Sequence, residues 1–369
     1  MSYIIVALIA FLFSYLSSPL TIKLARRFSL VDLPKSPHPA ALHKKTLPRA
    51  GGIAPLLGFL AALTIFALWS PAFFFSKAVW GIVISAALLV ALGTADDKYN
   101  LNPYLRLAAN FAIVGIVVAA GVGINSFTNP LGGVFFLNQT IYHISLPAIF
   151  GPLAGAHSIV LWADLFAFLW IIWVMNALNW SSGVDGQLPG IASIALLLLG
   201  IVASALVSKD PGQFFVAVLA FAAAGAFLGF LPFSFYPQKI MPGYGGSTLA
   251  GFLIATLGIL SGAKLAVVSL VILIPLIDSL WAILRRVLGK HSPVWGDSFH
   301  LHHQLLRMGW SIPQICYFYY FVTAVFGLLA LQLDSQEKFF ALAILGVIIF
   351  SALFTIFILV GKFDLKKYG

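Results

Sequence analysis

What this chain has least of is charge. Only 9% of its 369 residues are Asp, Glu, Lys or Arg, against 61% hydrophobic, whereas about a quarter of a soluble domain is charged. That balance excludes a water-soluble globular fold and marks a membrane protein. Glutamate is almost missing, since Glu337 is the single one and the other ten acids are aspartates. Cysteine is reduced to Cys316, so no intrachain disulfide can form and no Cys cluster can hold a metal. Polar stretches long enough to form a soluble domain are also lacking. Residues 1–369 therefore read as a single integral-membrane domain, although length alone would suggest two or three. The first apolar stretch has no basic leader and no cleavage-site pattern, and is expected to be a retained span. No fixed-period repeat, heptad or low-complexity tract is present.

What remains is a series of apolar runs. A helix needs about 20 mostly apolar residues to cross the bilayer. By that measure eleven spans are expected, or ten if the short 246–261 segment is miscounted, in an all-α polytopic fold. They lie near 2–22, 51–70, 77–95, 105–123, 158–178, 190–208, 213–232, 246–261, 264–284, 313–333 and 338–360. With the N-terminus outside, 17 of the 21 basic residues fall on one side of the membrane, which makes that side cytoplasmic. Seven aspartates join them there, so 24 of the 32 charges share one face. On the other face the runs Val134 to Leu137 and Thr140 to Leu146, around Asn138-Gln139, predict a small external β-hairpin. A net charge of +10 in so apolar a chain points to anionic lipid or phosphate-bearing substrates rather than nucleic acid.

Four loops on the basic face carry unusual polar content. The first holds Asp32, then His43-Lys44-Lys45, then Gly51-Gly52 at the mouth of a span. Basic residues there could simply stop translocation, but a Gly pair starts a helix poorly unless backbone must pass close to something. The second opens with Asp96-Asp97 at the C-terminal end of an apolar helix, where carboxylates face the negative pole of the dipole and repel each other. A cation must compensate, and Mg²⁺ is the simplest one. Two solvated loop acids are the plainer alternative, because an Asp-Asp pair alone is a weak signal. The third runs Asn176-Ala-Leu-Asn179-Trp-Ser-Ser182-Gly-Val-Asp185-Gly186. Its two amides share a helix face, and this is more polar equipment than a helix cap requires. The fourth joins Asp278, Arg285, Arg286, Asp297, His300, His302 and His303. Three histidines within four residues could suggest zinc, but with Arg beside them and no Cys or Glu a phosphate-binding site is at least as fitting. Gly243-Tyr244-Gly245-Gly246-Ser247 adds backbone N–H groups able to reach an anion.

In order and spacing, these motifs resemble the polyprenyl-phosphate N-acetylhexosamine-1-phosphate transferases, the glycosyltransferase family 4 type that includes the phospho-muramoyl-pentapeptide transferases. The likeness runs from Val31-Asp32 to His303. It implies ten or eleven helices in a bacterial-type plasma membrane and a cytoplasmic active site. It implies transfer of a sugar-1-phosphate from a UDP-N-acetylhexosamine to polyprenyl phosphate, with release of UMP, as the first membrane step of cell-envelope glycan synthesis. It also implies Mg²⁺ or Mn²⁺ as cofactor, and a homodimer is compatible with it. Carried over by position, Asp96, Asp97 and Asp185 become the candidate metal ligands and, with His302 and His303, the candidate catalytic residues. Lys45, Asn176, Asn179, Arg285, Arg286 and His300 become the candidate substrate-binding residues. The His-x-His-His form followed by Gln304-Leu305-Leu306 resembles the GlcNAc branch more than the muramoyl-pentapeptide branch.

Three positions depart from the family pattern. Ser182 and Tyr244 stand where acids are usual, and Ser298 stands where an Arg is usual. They leave open either a metal held by the remaining aspartates with substrate oxygens, or a variant of altered activity that serves as scaffold. A transporter or lipid flippase is the rival of another class, but it requires mid-membrane ionisable groups and paired halves. Only Asp278 lies well inside an apolar segment, and no halves are evident.

Overall fold

The computed structural model describes residues 2–32, 46–71, 76–129, 132–146, 155–261, 264–292 and 298–365. Thirteen helices and three two-stranded sheets are formed by them. The long helices are α1 (Tyr3–Arg27), α2 (Ile53–Trp69), α3 (Lys77–Tyr99), α4 (Pro103–Ala119), α5 (Leu161–Trp180), α6 (Gln187–Leu206), α7 (Gln213–Ser234), α8 (Gly243–Leu260), α10 (Leu273–Leu288), α12 (Ile312–Gln332) and α13 (Ser335–Leu365), with the short α9 (Lys264–Val271) and α11 (Leu301–Arg307) between. Apolar runs in a bilayer must satisfy their own backbone polar groups, and the helix does so within one segment. The protein is a multi-pass, all-α membrane protein.

Eight of the described helices are long and apolar enough to cross a membrane. The α9–α10 pair, bent by 83°, meets the same measure only when its two helices are counted together. Pro275 lies in the first turn of α10 and has no N–H to offer the Val271 carbonyl, so the ladder of α9 cannot run on. Helices α2 and α4 have 17 residues each, at the lower edge of spanning length. The eleven expected segments thus all appear as apolar helix, eight or nine of them long enough on this measure.

Local chemistry sets several ends. Ser76 accepts from Val79 N–H to start α3, and Asn102 before Pro103 accepts from Tyr104 N–H to start α4. Both are favoured cap types, and Pro suits the first helical turn. Asn100 ends α3 in the left-handed conformation, φ 48°. A Ser311–Gln314 capping box opens α12.

Helix α8 is the centre of the bundle, packed against α3, α5, α6 and α9 with almost every residue buried. Helix α13 is the periphery. It touches α9, α10 and α11 and turns Phe340, Ile344, Val347 and Ile348 outward, as a lipid-facing surface should.

The strands correct one expectation. Val134–Phe136 (β4) pairs with Ser126–Thr128 (β3), and Ile141–Leu146 (β5) pairs with Gly155–Val160 (β6). The two runs expected to form one hairpin therefore belong to two. The reversal falls at Gly132-Gly133, φ 112° and 86°, where Asn129 and Gly133 close the turn, because glycine enters the left-handed region without the steric cost a side chain carries. The remaining sheet pairs Val31–Asp32 (β1) with Leu47–Pro48 (β2), tying the first loop back beside the helix mouths.

Candidate active site

Helices α1, α3, α5, α7 and α10 end, and α2, α4, α6, α8 and α12 begin, at the same end of the bundle. The described residues of all four polar clusters lie there. Their nearness depends on glycine. Gly51 and Gly52 donate their N–H groups to the Met241 and Pro242 carbonyls at 3.0 Å each, and a Cβ on Gly52 would collide with Gly245 and Gly246 backbone. The Gly pair serves the close backbone passage expected of it, clamping the entrance of α2 to that of α8.

Asp97 is almost wholly enclosed at the C-terminal end of α3. Its Oδ2 accepts from Ala50 N–H at 3.1 Å and its Oδ1 from Tyr244 N–H at 3.2 Å. Arg49 Nε stands 3.2 Å from Oδ1, an ion-pair distance without an aligned hydrogen bond. Tyr244 belongs to the first turn of α8, so the carboxylate at the negative end of α3 faces the positive end of α8. The anion reached by the Gly243–Ser247 backbone is thus one of the protein's own. Asp96 is satisfied separately, by Leu101 N–H at 3.0 Å on Oδ1 and Arg106 Nη1 at 2.9 Å on Oδ2. Arg106 in turn lies over the Tyr244 ring, 4.8 Å to the centroid, and Asn110 Nδ2 donates to the Tyr244 hydroxyl at 2.8 Å.

The amide motif joins this cluster to the next. Ser247 Oγ donates to Asn179 Oδ1 at 2.6 Å, linking α5 to α8. Asn176 spends its amide donor on the Ile172 carbonyl of its own helix, at 2.8 Å. Ser182 Oγ folds back onto the Asn179 carbonyl at 2.6 Å. Asp185 accepts from Gln238 N–H and Nε2, at 3.2 and 2.6 Å.

The histidines form the second cluster. His300 Nδ1 lies 2.9 Å from Asp278 Oδ2, and Leu301 N–H donates to Asp278 Oδ1 at 3.1 Å. With Nδ1 as the donor, Nε2 carries the lone pair and faces Arg286 Nη2 at 3.5 Å. Arg286 stacks on Trp180, 4.7 Å to the ring centroid. His302 lies between His300 and His303, with ring centroids at 5.9 and 4.2 Å. It is 1% exposed, and among the described residues neither ring nitrogen has a hydrogen-bond partner. Burial, then the neighbouring His303 and His300, hold its pKa well below the ordinary histidine value, so the ring is neutral at pH 7. A Cβ on Gly183 would strike His302 Nε2, so the third loop presses directly on this ring.

The expected residues therefore divide. Asp96, Asp97, Asn179, Arg286, His300, His302 and His303 occupy the two clusters. Arg285 departs from expectation: its guanidinium stacks on Phe299 and Phe357, at 5.2 and 5.6 Å, which holds it against α13. Lys45 lies outside the described residues. Asp96, Asp97 and Asp185 are not gathered as a metal set, because among the described residues no three His, Cys, Asp or Glu side chains converge on a point, and each of the three carboxylates already accepts from protein donors. The group formed by these residues does not fit a resident divalent cation. Arg49, Arg106 and Asn110 were missed as site residues. Arg106 and Asn110 are one helical turn apart at the entrance of an apolar helix, and that spacing was the available signal.

A polytopic membrane protein with paired acids, amides and a histidine cluster gathered at the helix mouths is the class that fold and site define. The glycosyl transferase family 4 model matches residues 79–262, a stretch that holds the acid pair, the amide motif and the Gly-Tyr-Gly-Gly-Ser turn. A Bacillus subtilis protein described as a probable undecaprenyl-phosphate N-acetylglucosaminyl 1-phosphate transferase is 27% identical, across 94% of this chain and 89% of the relative. The decaprenyl-phosphate N-acetylglucosaminephosphotransferase of Mycolicibacterium smegmatis is 29% identical, across 83% and 76%. A phospho-N-acetylmuramoyl-pentapeptide-transferase of Levilactobacillus brevis is 29% identical over 73% of this chain and 78% of its own. The chain is thus similar to glycosyl transferase family 4 over residues 79–262 and to these transferases over most of its length.

Proposed function

We propose that this protein transfers N-acetylglucosamine-1-phosphate from UDP-N-acetylglucosamine to a polyprenyl phosphate on the cytoplasmic side of the membrane. The supporting observation is the junction of the two clusters, where Asn179 meets Ser247 at 2.6 Å and Gly183 meets His302. Through these contacts the acid pair and the histidines are linked at the mouths of the helices. The named activities of the Bacillus and Mycolicibacterium relatives, which span most of both chains, favour the GlcNAc reading over muramoyl-pentapeptide transfer.

In the reaction an oxygen of the lipid phosphate attacks the β-phosphorus of the UDP-sugar in line. The bond from that phosphorus to the bridging oxygen breaks, and UMP leaves with the electron pair. Little covalent chemistry is asked of the protein, so positioning and charge stabilisation carry the rate. Arg286, held by the Trp180 face beside His300, would take a phosphate oxygen of the donor. Neutral His302, with no hydrogen-bond partner among the described residues, would engage the sugar-phosphate as donor or acceptor. Asp97, fixed by two backbone N–H groups, would order the helix mouths against which the lipid phosphate lies. Pyrophosphates bind Mg²⁺ on their own oxygens, and we place the divalent cation with the nucleotide substrate.

The test is to express the protein in membranes supplied with polyprenyl phosphate and UDP-GlcNAc and to identify the lipid product by mass. A lipid-linked pyrophosphate GlcNAc that disappears with Asp97→Asn supports the reading. Formation of no such lipid from any UDP-N-acetylhexosamine rejects it.

A further inference from the structure

We infer that Arg106 and Arg49 are the built-in counter-ions of the Asp96–Asp97 pair, and that the pair holds no divalent cation of its own. Two adjacent carboxylates at a helix C-terminus require positive charge, and the requirement is already met. All four carboxylate oxygens have a donor or cation beside them: Leu101 N–H and Arg106 on Asp96, Ala50 N–H, Tyr244 N–H and Arg49 on Asp97. A magnesium ion demands near-octahedral oxygen ligands at about 2.0–2.1 Å. Reaching these oxygens would require expelling guanidinium and backbone donors that three different elements hold in place. Arg106 is the best anchored of them. Its guanidinium is gripped between Asp96 and the Tyr244 ring, and the ring is pinned by Asn110 on the same helix as Arg106. Tyr244 supplies a platform for a cation and no carboxylate to bind one. Through Asp96, Arg106 acts as a positioning residue for the mouth of α3.

The inference concerns cation binding at rest and stands whether or not the transfer reaction proposed above is correct. It is tested on the full-length protein purified in detergent, without nucleotide or polyprenyl lipid. Mn²⁺ binding is followed by electron paramagnetic resonance, and melting temperature is followed with and without MgCl₂. Wild type is expected to show no Mn²⁺ site that depends on Asp96 or Asp97, and no Mg²⁺ shift in melting temperature. Arg106→Met is expected to melt several degrees lower and to gain a Mg²⁺-dependent shift that Arg106→Met/Asp96→Asn lacks, while Arg106→Lys behaves as wild type. Should Arg106→Met fail to fold, the wild-type titration with Asp97→Asn as control still decides. One Mn²⁺ per wild-type chain, abolished by Asp96→Asn or Asp97→Asn, overturns the inference. So does an Arg106→Met protein that responds to Mg²⁺ no differently from wild type. A Mn²⁺ site indifferent to both aspartates lies elsewhere and leaves the pair metal-free as stated.

Discussion

The two polar clusters at the helix mouths differ in what they leave unsatisfied. Around Asp96 and Asp97 every carboxylate oxygen is met by an N–H or a guanidinium, and the donors come from α4 and the residue Leu101 before it, from α8, and from Arg49 and Ala50 between β2 and α2. Around His302 the opposite holds, with a buried ring whose nitrogens have no partner among the described residues and whose neighbours depress its affinity for a proton. Buried polar groups without partners cost free energy. The His302 ring has hydrogen-bonding capacity left to offer a ligand, whereas the satisfied acids hold helix ends together. On the proposed reading, the first cluster holds the helix mouths together and the second is the one left to meet a substrate.

The sharpest way to break this contrast is to remove the central members of each cluster. Asp97→Asn leaves Arg49 without its counter-charge and weakens the tie between α3 and α8. Transfer, measured as initial rate in reconstituted vesicles, is expected to fall by about 10²-fold or more, because a helix mouth displaced by even ~1 Å misplaces the reacting groups. His302→Asn is expected to cost about 10²-fold in rate with a stability near wild type, because it exchanges one unpartnered buried polar group for another. A large loss of stability in His302→Asn would erase the distinction between the clusters.

Breaking an ion pair reads out the first cluster as structure. Arg106→Met strands Asp96, and the cost is expected at about 1–3 kcal/mol, less than the ~3–5 kcal/mol of a fully enclosed pair because the guanidinium is 25% exposed. Denaturation with and without Asp96→Asn in the same chain isolates the coupling. The pH dependence reads out the second cluster. His302 is neutral in the folded protein and takes up its proton near the ordinary value of about 6.5 when unfolded. The unfolded state thus binds more protons below that pH, so its contribution to stability is present above about 6.5 and is lost as pH falls. Melting curves between pH 8 and pH 5 should decline less steeply for His302→Asn than for wild type. The smallest effect belongs to Asn176→Ala, a change of less than about 3-fold in rate, because its amide donor serves the Ile172 carbonyl of its own helix; surface and half-buried changes of this kind are near neutral.

Much of the fold was legible because apolar length and the sorting of basic residues are local or additive signals. Every expected apolar segment is helix, and the described residues of all four polar clusters do share one end of the bundle. The demand for a cation beside Asp96-Asp97 was legible as well, from the dipole of α3 alone. Its source was not. Arg49 and Tyr244 lie 48 and 147 residues from Asp97 in the chain, and no spacing rule connects them, so a metal ion was the simplest supply. Arg285 and Arg286 likewise look equivalent as neighbours in sequence, yet one stacks on Trp180 beside His300 and the other on Phe299 and Phe357. Only the packing of α13 against α10 separates them. The strand pairing failed for a related reason, since β-prone runs state where strands form and the glycines at 132 and 133 state where the chain turns back.

The central claim, that these mouths transfer a sugar phosphate onto a membrane lipid, meets its most direct test in the release of labelled UMP from UDP-GlcNAc by the purified protein in vesicles. UMP release that requires polyprenyl phosphate, matches the lipid product one for one and collapses in Asp97→Asn and His302→Asn is the predicted result. UMP release that is absent with polyprenyl phosphate and Mg²⁺ present, or that persists unchanged in both variants, would contradict it.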